Sequence, residues 1–346
     1  MATNGPSATS SRSHLQATPR HKSHELCRLA VLLASLLLPR DVVALEVFEW
    51  PGAAPCATPT LQACIDAVPN GSIVEVRTND PVGGALELDR GVLLAAAHGF
   101  SPTLSALHIR GSGAEVSGFL VREGVQVFLE GEPTMNVVLH DSVLRNGPMA
   151  YAVEVVTHSP SSLSIVALHL TIDGNQIESG RSCLGLHGLA YATGSHRAVI
   201  ARNQMRCDGA SIQAQNGRGS QELSISGNQI SSVFGIRLDN SEQPTAEFRS
   251  PLEAKIAENQ LQSLGRPALQ VVTREPGASI EIVVYRNVVS GVDSSFGLHF
   301  SDPLSEWLSG SVSENVLSAF SGPSALYVEG AERLRVANNL FLGGTP

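Results

Sequence analysis

Lysine, aromatic residues and charge are all scarce in this chain of 346 residues. Charged residues make up 16% of it and aromatic residues 5%, while 42% are hydrophobic and 32 are glycine. Low charge together with much glycine, serine, valine and asparagine argues against a helical protein. Acidic residues outnumber basic ones, 32 to 23. Nucleic-acid phosphates require basic contacts, so we expect no nucleic-acid partner.

Long apolar runs are absent apart from residues 29–38. Basic residues precede this run and the small residues of 42–44 follow it, which is the order of a secretory signal peptide. The run is too short to span a bilayer as a helix. The sequence therefore predicts a signal peptide at 1–44, no membrane span in the mature chain 45–346, and a secreted, cell-surface or periplasmic location.

The predicted mature chain has four cysteines, Cys56, Cys64, Cys183 and Cys207. An even number in an exported chain is typical of disulfide bonding. The local pairs Cys56–Cys64 and Cys183–Cys207 are favoured among the three connectivities, and the sequence leaves the other two open. Residues 1–44 hold five basic and two acidic residues. The predicted mature chain therefore has 18 basic and 30 acidic residues, a formal net charge of −12.

Asparagine followed two positions later by an apolar residue recurs through the second half of the chain. Successive copies are 28, 25, 31, 28, 28 and 24 residues apart. They begin at Asn175, Asn203, Asn228, Asn259, Asn287, Asn315 and Asn339, with weaker copies at Asp141 and Phe119. A second series of alternating strands, which mostly open on a small residue, starts at Ala152, Cys183, Ser211, Gly235, Ala268, Gly297 and Ala325. Two series in step at this period indicate a solenoid.

The apolar runs within each repeat are short and alternating, without helical periodicity, which excludes helical repeats. We therefore predict parallel coils of about three short strands. Asparagines stacked at one corner would bond to each other and to the backbone, so we interpret them as structural. A cap over residues 56–71 is expected at the N-terminal end, with Thr58 as the N-cap of a short helix and Pro59 at its first position.

This start, the stretch "ALHIRGSGAEVSGFLVREG" at 106–124 and the asparagine coils together resemble the right-handed parallel β-helix superfamily, the pectate-lyase-like fold. The resemblance covers residues 56–346. It implies an all-β, right-handed parallel β-helix solenoid of about 8–10 coils with a short N-terminal capping helix. The family contains lyases, polygalacturonases, methylesterases, epimerases, tailspikes and surface proteins without known activity, so fold alone assigns no chemistry.

In the enzymes of this family, substrate lies along the outer face of the second strand series, the one that begins at positions such as Ala152 and Gly235 after each asparagine corner. Strand alternation predicts two outward columns there. The first contains Gln126, Glu154, Gly185, Gln213, Arg237, Gln270, His299 and Tyr327. The second contains Phe128, Val156, His187, Gln215, Asp239, Val272, Ser301 and Glu329. Both Arg237 and Asp239 are expected to point to solvent.

A uronate lyase needs a base near the sugar C5 proton and a cation that neutralises the carboxylate. His187 is the candidate base, Arg237 the candidate cation, and Asp239 the residue that would orient Arg237. The candidate substrate-binding residues are Glu154, Gln213, Gln215, His299 and Tyr327. The alternative is a solvated sheet face, because outward strand positions are ordinarily polar.

Known catalytic signatures of the family are missing from the sequence. There is no paired-aspartate and Gly-His-Gly pattern, no Asp-Pro-His-Asp, and Lys255 lies away from the predicted groove. Asp239 and Glu329 are three coils, roughly 14 Å, apart, which is a poor fit to the paired carboxylates of hydrolases. Metal-ligand spacing and an Asp-rich calcium cluster are also missing, so we predict no metal and no cofactor.

Two functional hypotheses follow. The lack of a motif favours an exported or surface β-helix that serves binding or assembly, and the alternative is a polysaccharide lyase at Arg237. A polysaccharide is the expected partner in the second case. The chain stops just past an asparagine corner, from which we expect either a truncated gene model or a terminus covered by a partner chain.

Overall fold

The computed structural model describes residues 45–129, 133–146, 151–156, 167–187, 194–215, 219–239, 251–273, 279–291, 296–304, 306–318 and 324–342. All of them belong to one compact unit, Leu45–Pro346. The predicted signal peptide lies outside the described residues and stays a prediction. In the described part of the chain, no helix is long and apolar enough to cross a membrane.

Parallel strands stack into three faces of a right-handed β-helix, as the sequence predicts. Face A precedes the asparagine corner and consists, among the described residues, of Val47–Trp50, Ile73–Val76, Leu93–Ala96, Ala114–Ser117, Thr134–His140, Ala167–Asp173, His196–Ala201, Gln221–Ser226, Leu252–Ala257, Ile280–Tyr285, Leu308–Ser313 and Arg333–Ala337.

Face B follows the asparagine corner, and face C follows face B. Face B contains Thr103–Leu104, Leu120–Val121, Val143–Asn146, Gln176–Ser179, Gln260–Ser263, Val288–Gly291, Val316–Ser318 and Leu340–Leu342. Face C contains Ala85–Leu88, Ala106–Ile109, Val125–Phe128, Val153–Val156, Leu184–Gly185, Leu269–Val272, Phe296–Ser301 and Ser324–Glu329. Two longer strands, Gln204–Gln215 and Gln229–Asp239, run from face B into face C.

Continuous apolar columns fill the interior between the faces. In face A, strand pairing aligns a column whose members are 0% exposed; it comprises Ile172, Ile200, Ile225, Ile256, Val284 and Val312. Each such side chain contributes about 2 kcal/mol through burial. The period-2 alternation that places these residues inward also places their sequence neighbours on the outer surface.

The asparagine corner is a hydrogen-bonded ladder, as interpreted from the sequence. Asn228 is fully buried, and its Oδ1 accepts from the backbone N of Asn203 at 2.9 Å and from the Nδ2 of Asn203 at 3.0 Å. Its own Nδ2 donates to the carbonyl of Ile200 at 2.9 Å and to the Oδ1 of Asn259 at 2.9 Å. The same contacts recur from Asn175 to Asn339.

The residue before each ladder asparagine adopts left-handed backbone geometry, with φ between +53° and +66°. These residues are Gly174, Arg202, Gly227, Glu258, Arg286, Glu314 and Asn338. For the residues other than glycine, this conformation costs about 1–2 kcal/mol each. The ladder bonds hold the chain in this bend, because they satisfy backbone groups on both sides of it.

The weaker copy at Asp141 is shifted by one residue from the sequence expectation. Strand pairing aligns Ser142, and not Asp141, with Asn175, while Asp141 takes the left-handed corner at φ +50°. Ser142 continues the ladder in both directions. Its backbone N donates to Asn175 Oδ1 at 3.0 Å, and its Oγ accepts from the backbone N of Phe119 at 3.3 Å.

A helix at Leu61–Ala67 covers the N-terminal end of the core, as predicted for the cap. Its buried residues are Leu61, Cys64 and Ile65. The expected N-cap at Thr58 is wrong, because the hydroxyl of Thr60 accepts from the backbone N of Ala63 at 3.3 Å and the helix begins two residues later than expected. The hydroxyl of Thr58 donates to the carbonyl of Thr60 instead.

Two disulfide bonds link neighbouring segments. Cys56–Cys64 ties the helix to the chain that precedes it, with 4.4 Å between the Cα atoms. Cys183–Cys207 joins two successive coils where face B turns into face C, with 5.8 Å between the Cα atoms. Cys183 immediately precedes the strand Leu184–Gly185, so this bond anchors the middle of face C.

Candidate functional site

Strand pairing on face C brings the first outward column into one row. Neighbouring positions along it are Gln126, Glu154, Gly185, Gln213, Arg237, Gln270, His299 and Tyr327. His108 and Glu87 extend the row toward the N-terminal end. Gly185 is buried, and the other seven residues from Gln126 to Tyr327 are half-buried, so part of each polar side chain is accessible.

The second outward column is less exposed than the sequence suggests. The expectation that Asp239 points to solvent is wrong, because its residue exposure is 2%, and Phe128 is also buried. An arginine contacts each of the two residues. Arg237 lies against Asp239, with its Nε 3.0 Å from Oδ2, and the guanidinium of Arg110 lies 3.9 Å from the centre of the Phe128 ring.

Glu154 and His187 lie on adjacent coils and contact each other directly. Glu154 Oε1 is 3.2 Å from His187 Nε2, and Gln126 Nε2 donates to the other carboxylate oxygen at 3.4 Å. About a quarter of each of the two side chains, Glu154 and His187, is accessible. The hydrogen bond from His187 is the main cause that lowers the pKa of Glu154, against the opposing effect of its burial.

The charge on Glu154 fixes the tautomer of neutral His187. A carboxylate with a lowered pKa is ionised at neutral pH and only accepts hydrogen bonds. His187 Nε2 therefore carries the hydrogen in this pair, which leaves Nδ1 as the basic atom of the neutral ring. Nδ1 is the atom that could take a proton from a ligand on face C.

Tyr151 completes this group, which we call the Glu154 cluster (Gln126, Tyr151, Glu154, Gly185 and His187). The ring centres of Tyr151 and His187 are 5.0 Å apart. Burial raises the pKa of Tyr151, and the nearby charges of Arg181, Glu154 and Arg237 modify it further. Its phenol is therefore protonated at neutral pH and can donate.

The space for these rings comes from Gly185. A Cβ at this position would lie 2.9 Å from His187 Cε1 and 2.9 Å from two ring carbons of Tyr151, closer than atoms of real side chains approach. Gly185 thus leaves a notch in the first column between Glu154 and Gln213. A cavity of about 190 Å³ on the N-terminal side of the cluster is lined in part by Gln126, Tyr151 and Glu154.

A second group on face C is formed by aromatic rings. We call Phe296, His299 and Tyr327 the ring cluster; His299 and Tyr327 are 5.2 Å apart between ring centres, and Phe296 and Tyr327 are 4.9 Å apart. His299 Nδ1 is 3.4 Å from Gln270 Nε2. Burial lowers the pKa of His299, with a small opposing effect from Glu329, so its ring is predominantly neutral at pH 7.

The structure divides the predicted site into three parts. Glu154 and His187 form one part, Arg237 and Asp239 a second, and His299 with Tyr327 a third. Strand pairing places Gln213 between Gly185 and Arg237, and Gln215 beside Asp239. His187 and Arg237 are two strand steps apart, roughly 10 Å along the axis.

Sequence reasoning missed Tyr151 and Phe296, and it placed Gln126 in the first column without including it among the candidate site residues. Tyr151 lies two residues before the face C strand Val153–Val156, where alternation assigns no direction. The available signal was Gly185, a residue without a side chain in a column of long polar ones. Such a gap leaves room for a neighbouring ring.

Comparisons with known proteins add no further assignment. No protein-family model matches the chain, and no curated protein matches it significantly. Across the described residues, no group of three or more His, Cys, Asp or Glu side chains has a geometry that could hold a metal ion. The parallel β-helix itself rests on the strand pairing given above.

Proposed function

We propose that this chain is an exported β-helix of the pectate-lyase-like superfamily whose face C binds a polysaccharide along the helix axis. The observation that carries the proposal is the first column of face C, in which partly accessible polar side chains follow one another from coil to coil. A chain of sugars also repeats its hydroxyl groups at regular intervals. A row of amides, imidazoles and a guanidinium therefore suits such a ligand.

The ring cluster supports a sugar ligand at one end of this row. Aromatic rings combine an apolar face with a polar edge, and Tyr327 and His299 each present both. Their neighbour Gln270 supplies an amide within 3.4 Å of His299. Together they offer a stacking surface and hydrogen-bonding groups to one part of the ligand.

Export is supported by the two disulfides and by the N-terminal sequence. Cys56–Cys64 and Cys183–Cys207 are bonded, and such bonds persist in oxidising compartments. The pattern of residues 1–44 is that of a signal peptide. Mass spectrometry of the protein released into the medium by expressing cells would identify the mature N-terminus, and a product that retains residue 1 in the cytosol would contradict export.

The binding proposal is tested with a panel of polysaccharides and the variant His299→Ala/Tyr327→Ala. We expect at least one polysaccharide to retard the wild-type protein in affinity electrophoresis, and the variant to bind about tenfold more weakly. Ser224→Ala on face A is the matched control. Absence of binding across pectate, alginate, xylan and glucans, or equal binding by the variant, would contradict the proposal.

A second candidate, favoured by the Glu154 cluster, is a lyase acting on a uronate polysaccharide. His187 Nδ1 would remove the C5 proton, the electron pair would form the C4–C5 double bond, and the C4–O bond would break. The phenol of Tyr151 would protonate the departing oxygen, and Arg237 would neutralise the uronate carboxylate. Glu154 would hold the His187 ring in position through Nε2.

This candidate makes a prediction that binding alone does not. Incubation with pectate and alginate, with and without calcium, should release an unsaturated product that absorbs in the ultraviolet. Tyr151→Phe should abolish that signal while polysaccharide binding persists. If the wild-type protein releases no unsaturated product from any uronate substrate, the lyase proposal is rejected and the binding proposal is unaffected.

A further inference from the structure

Four glutamines occupy the same outward position on four successive strands of face B. Strand pairing aligns Gln176, Gln204, Gln229 and Gln260 in one column. Valine holds the same position on either side, Val143 before the glutamines and Val288 after them. The amide stretch therefore has two defined ends and extends over three strand steps, roughly 14 Å.

These glutamines line a groove of about 470 Å³ on the outer surface of face B. All four are exposed. The neighbouring outward column adds Ser231 and Gln262 to the lining. Two charged residues lie in the lining, Glu178 and Arg206, so its formal charge is zero.

The charge of Glu178 is compensated within the protein. Its carboxylate lies 2.9 Å from Arg145 Nε, and Gln176 Nε2 donates to it at 2.8 Å. The adjoining depression holds two basic and two acidic residues, Arg145, Glu178, Arg206 and Asp208. Their formal charges sum to zero, so a charged polymer would meet no surplus of opposite charge here. A neutral ligand would pay no electrostatic penalty.

The glutamine column differs from the asparagine ladder in how its amides are used. Adjacent ladder asparagines bond to each other at 2.9–3.1 Å. In the described part of the chain, the side chains of Gln204, Gln229 and Gln260 bond neither to each other nor to other groups. A role in stacking thus does not explain the column, and both the donors and the acceptors of these amides face solvent.

We propose that this groove binds a neutral oligosaccharide that lies along the helix axis. Each primary amide donates and accepts, as each sugar hydroxyl does, so the two match without any charge. The amides recur at one strand spacing, which suits an extended ligand with repeated hydroxyls. The flanking valines leave the ends of the site apolar, which limits its length.

The site is independent of the proposed function, since it lies on face B and shares no residue with the candidate groups of face C. Its test uses Gln204→Val/Gln229→Val. Valine already occupies this column at Val288 and Val316, so the variant keeps a side chain that the strand accepts. Ser224→Val on face A is the matched control.

The probes are cellohexaose, mannohexaose and xylohexaose, with hexagalacturonate as the charged comparison, measured by calorimetry. We expect at least one neutral probe to bind wild type, and to bind the double variant about tenfold more weakly while Ser224→Val is unchanged. Val288→Gln, which lengthens the amide stretch, should retain binding. Failure of all three neutral probes to bind, or equal affinity in the double variant, would overturn the proposal.

A spectroscopic measurement identifies the groove directly. In the wild-type protein, the side-chain amide signals of Gln204 and Gln229 should shift when the neutral probe that binds is added. They should stay in place when hexagalacturonate is added. Shifts with the charged probe alone would also overturn the proposal, and neither result depends on whether face C binds a polysaccharide.

Discussion

Glu154 Oε1 lies 3.2 Å from His187 Nε2 on the next coil of face C, and this contact lowers the pKa of the carboxyl group. A carboxyl group whose folded pKa is depressed stabilises the protein above its unfolded pKa. That stability is lost as the pH falls through the folded pKa. The contact therefore has a measurable effect on stability as well as on the tautomer of His187.

We predict that Glu154→Gln lowers the free energy of unfolding by about 1 kcal/mol at neutral pH. The difference from wild type should close in acid, where the wild-type carboxyl group is protonated and position 154 is neutral in both proteins. Urea unfolding at a series of pH values measures this. Glu253→Gln, an exposed position on face A, is the control and should show little difference; a gap for Glu154→Gln that persists unchanged into acid would contradict the explanation.

We predict that Asn228→Ala costs about 3 kcal/mol of stability. The substitution removes the acceptor of the backbone N–H of Asn203 and the donor to the carbonyl of Ile200, both of which are buried. Asn339→Ala should cost less, because Asn339 is half-buried and no described asparagine follows it in the ladder. Denaturant unfolding compares the two, and equal losses would show that burial of the ladder is not the source of the effect.

We predict that Cys183→Ala/Cys207→Ala lowers stability by roughly 3 kcal/mol, since the bond closes a 24-residue segment in the unfolded chain. The Cys56–Cys64 bond closes a segment of only 8 residues, so Cys56→Ala/Cys64→Ala should lower stability somewhat less. Unfolding in denaturant with and without a reductant measures both. The reductant should lower the stability of wild type and have a smaller effect on each variant, whereas an unchanged wild type would indicate that the bonds contribute little.

The sequence was sufficient to predict the stacking of face C. Because side chains alternate with period 2 and the repeats are in step, Glu154, Gln213 and Arg237 could be assigned to one column without coordinates. The asparagine corners could also be predicted from the sequence, since Asn228 and its counterparts recur at the coil period. Because the repeats are regular, the position of a residue within its repeat predicts its position on the coil, and this held along the whole first column of face C.

The sequence pattern could not predict features that depend on how side chains pack against one another. Alternation assigns Asp239 to the surface, yet its side chain is 2% exposed and contacts Arg237. Alternation assigns no direction to Tyr151, because this residue precedes its strand. The left-handed corner was also missed, since Glu258 and Arg286 carry no sequence preference for that backbone geometry. The candidate site thus combines a column of residues that the sequence predicts with side-chain contacts that only the structure shows.

Arg237 and Asp239 form an ion pair in which the carboxylate is almost fully buried, at 2% exposure. We predict that Arg237→Ala lowers stability by about 2 kcal/mol, because it removes a cation that lies 3.0 Å from a nearly buried carboxylate. Arg237→Ala/Asp239→Asn should recover part of that loss, since the charge itself is gone. Arg197→Ala is the control: its ion pair with Glu222 is more than half exposed, and its loss should cost less than about 1 kcal/mol.

The double variant also separates structure from function at this position. If Arg237 contacts a ligand, Arg237→Ala/Asp239→Asn should bind polysaccharide weakly although its stability approaches that of wild type, and any lyase activity should be lost with it. Unfolding curves and affinity electrophoresis on the same preparations measure the two properties side by side. If the double variant binds polysaccharide as well as wild type does, Arg237 has only a structural role. If Arg237→Ala lowers the free energy of unfolding no more than Arg197→Ala does, the buried ion pair does not contribute as predicted.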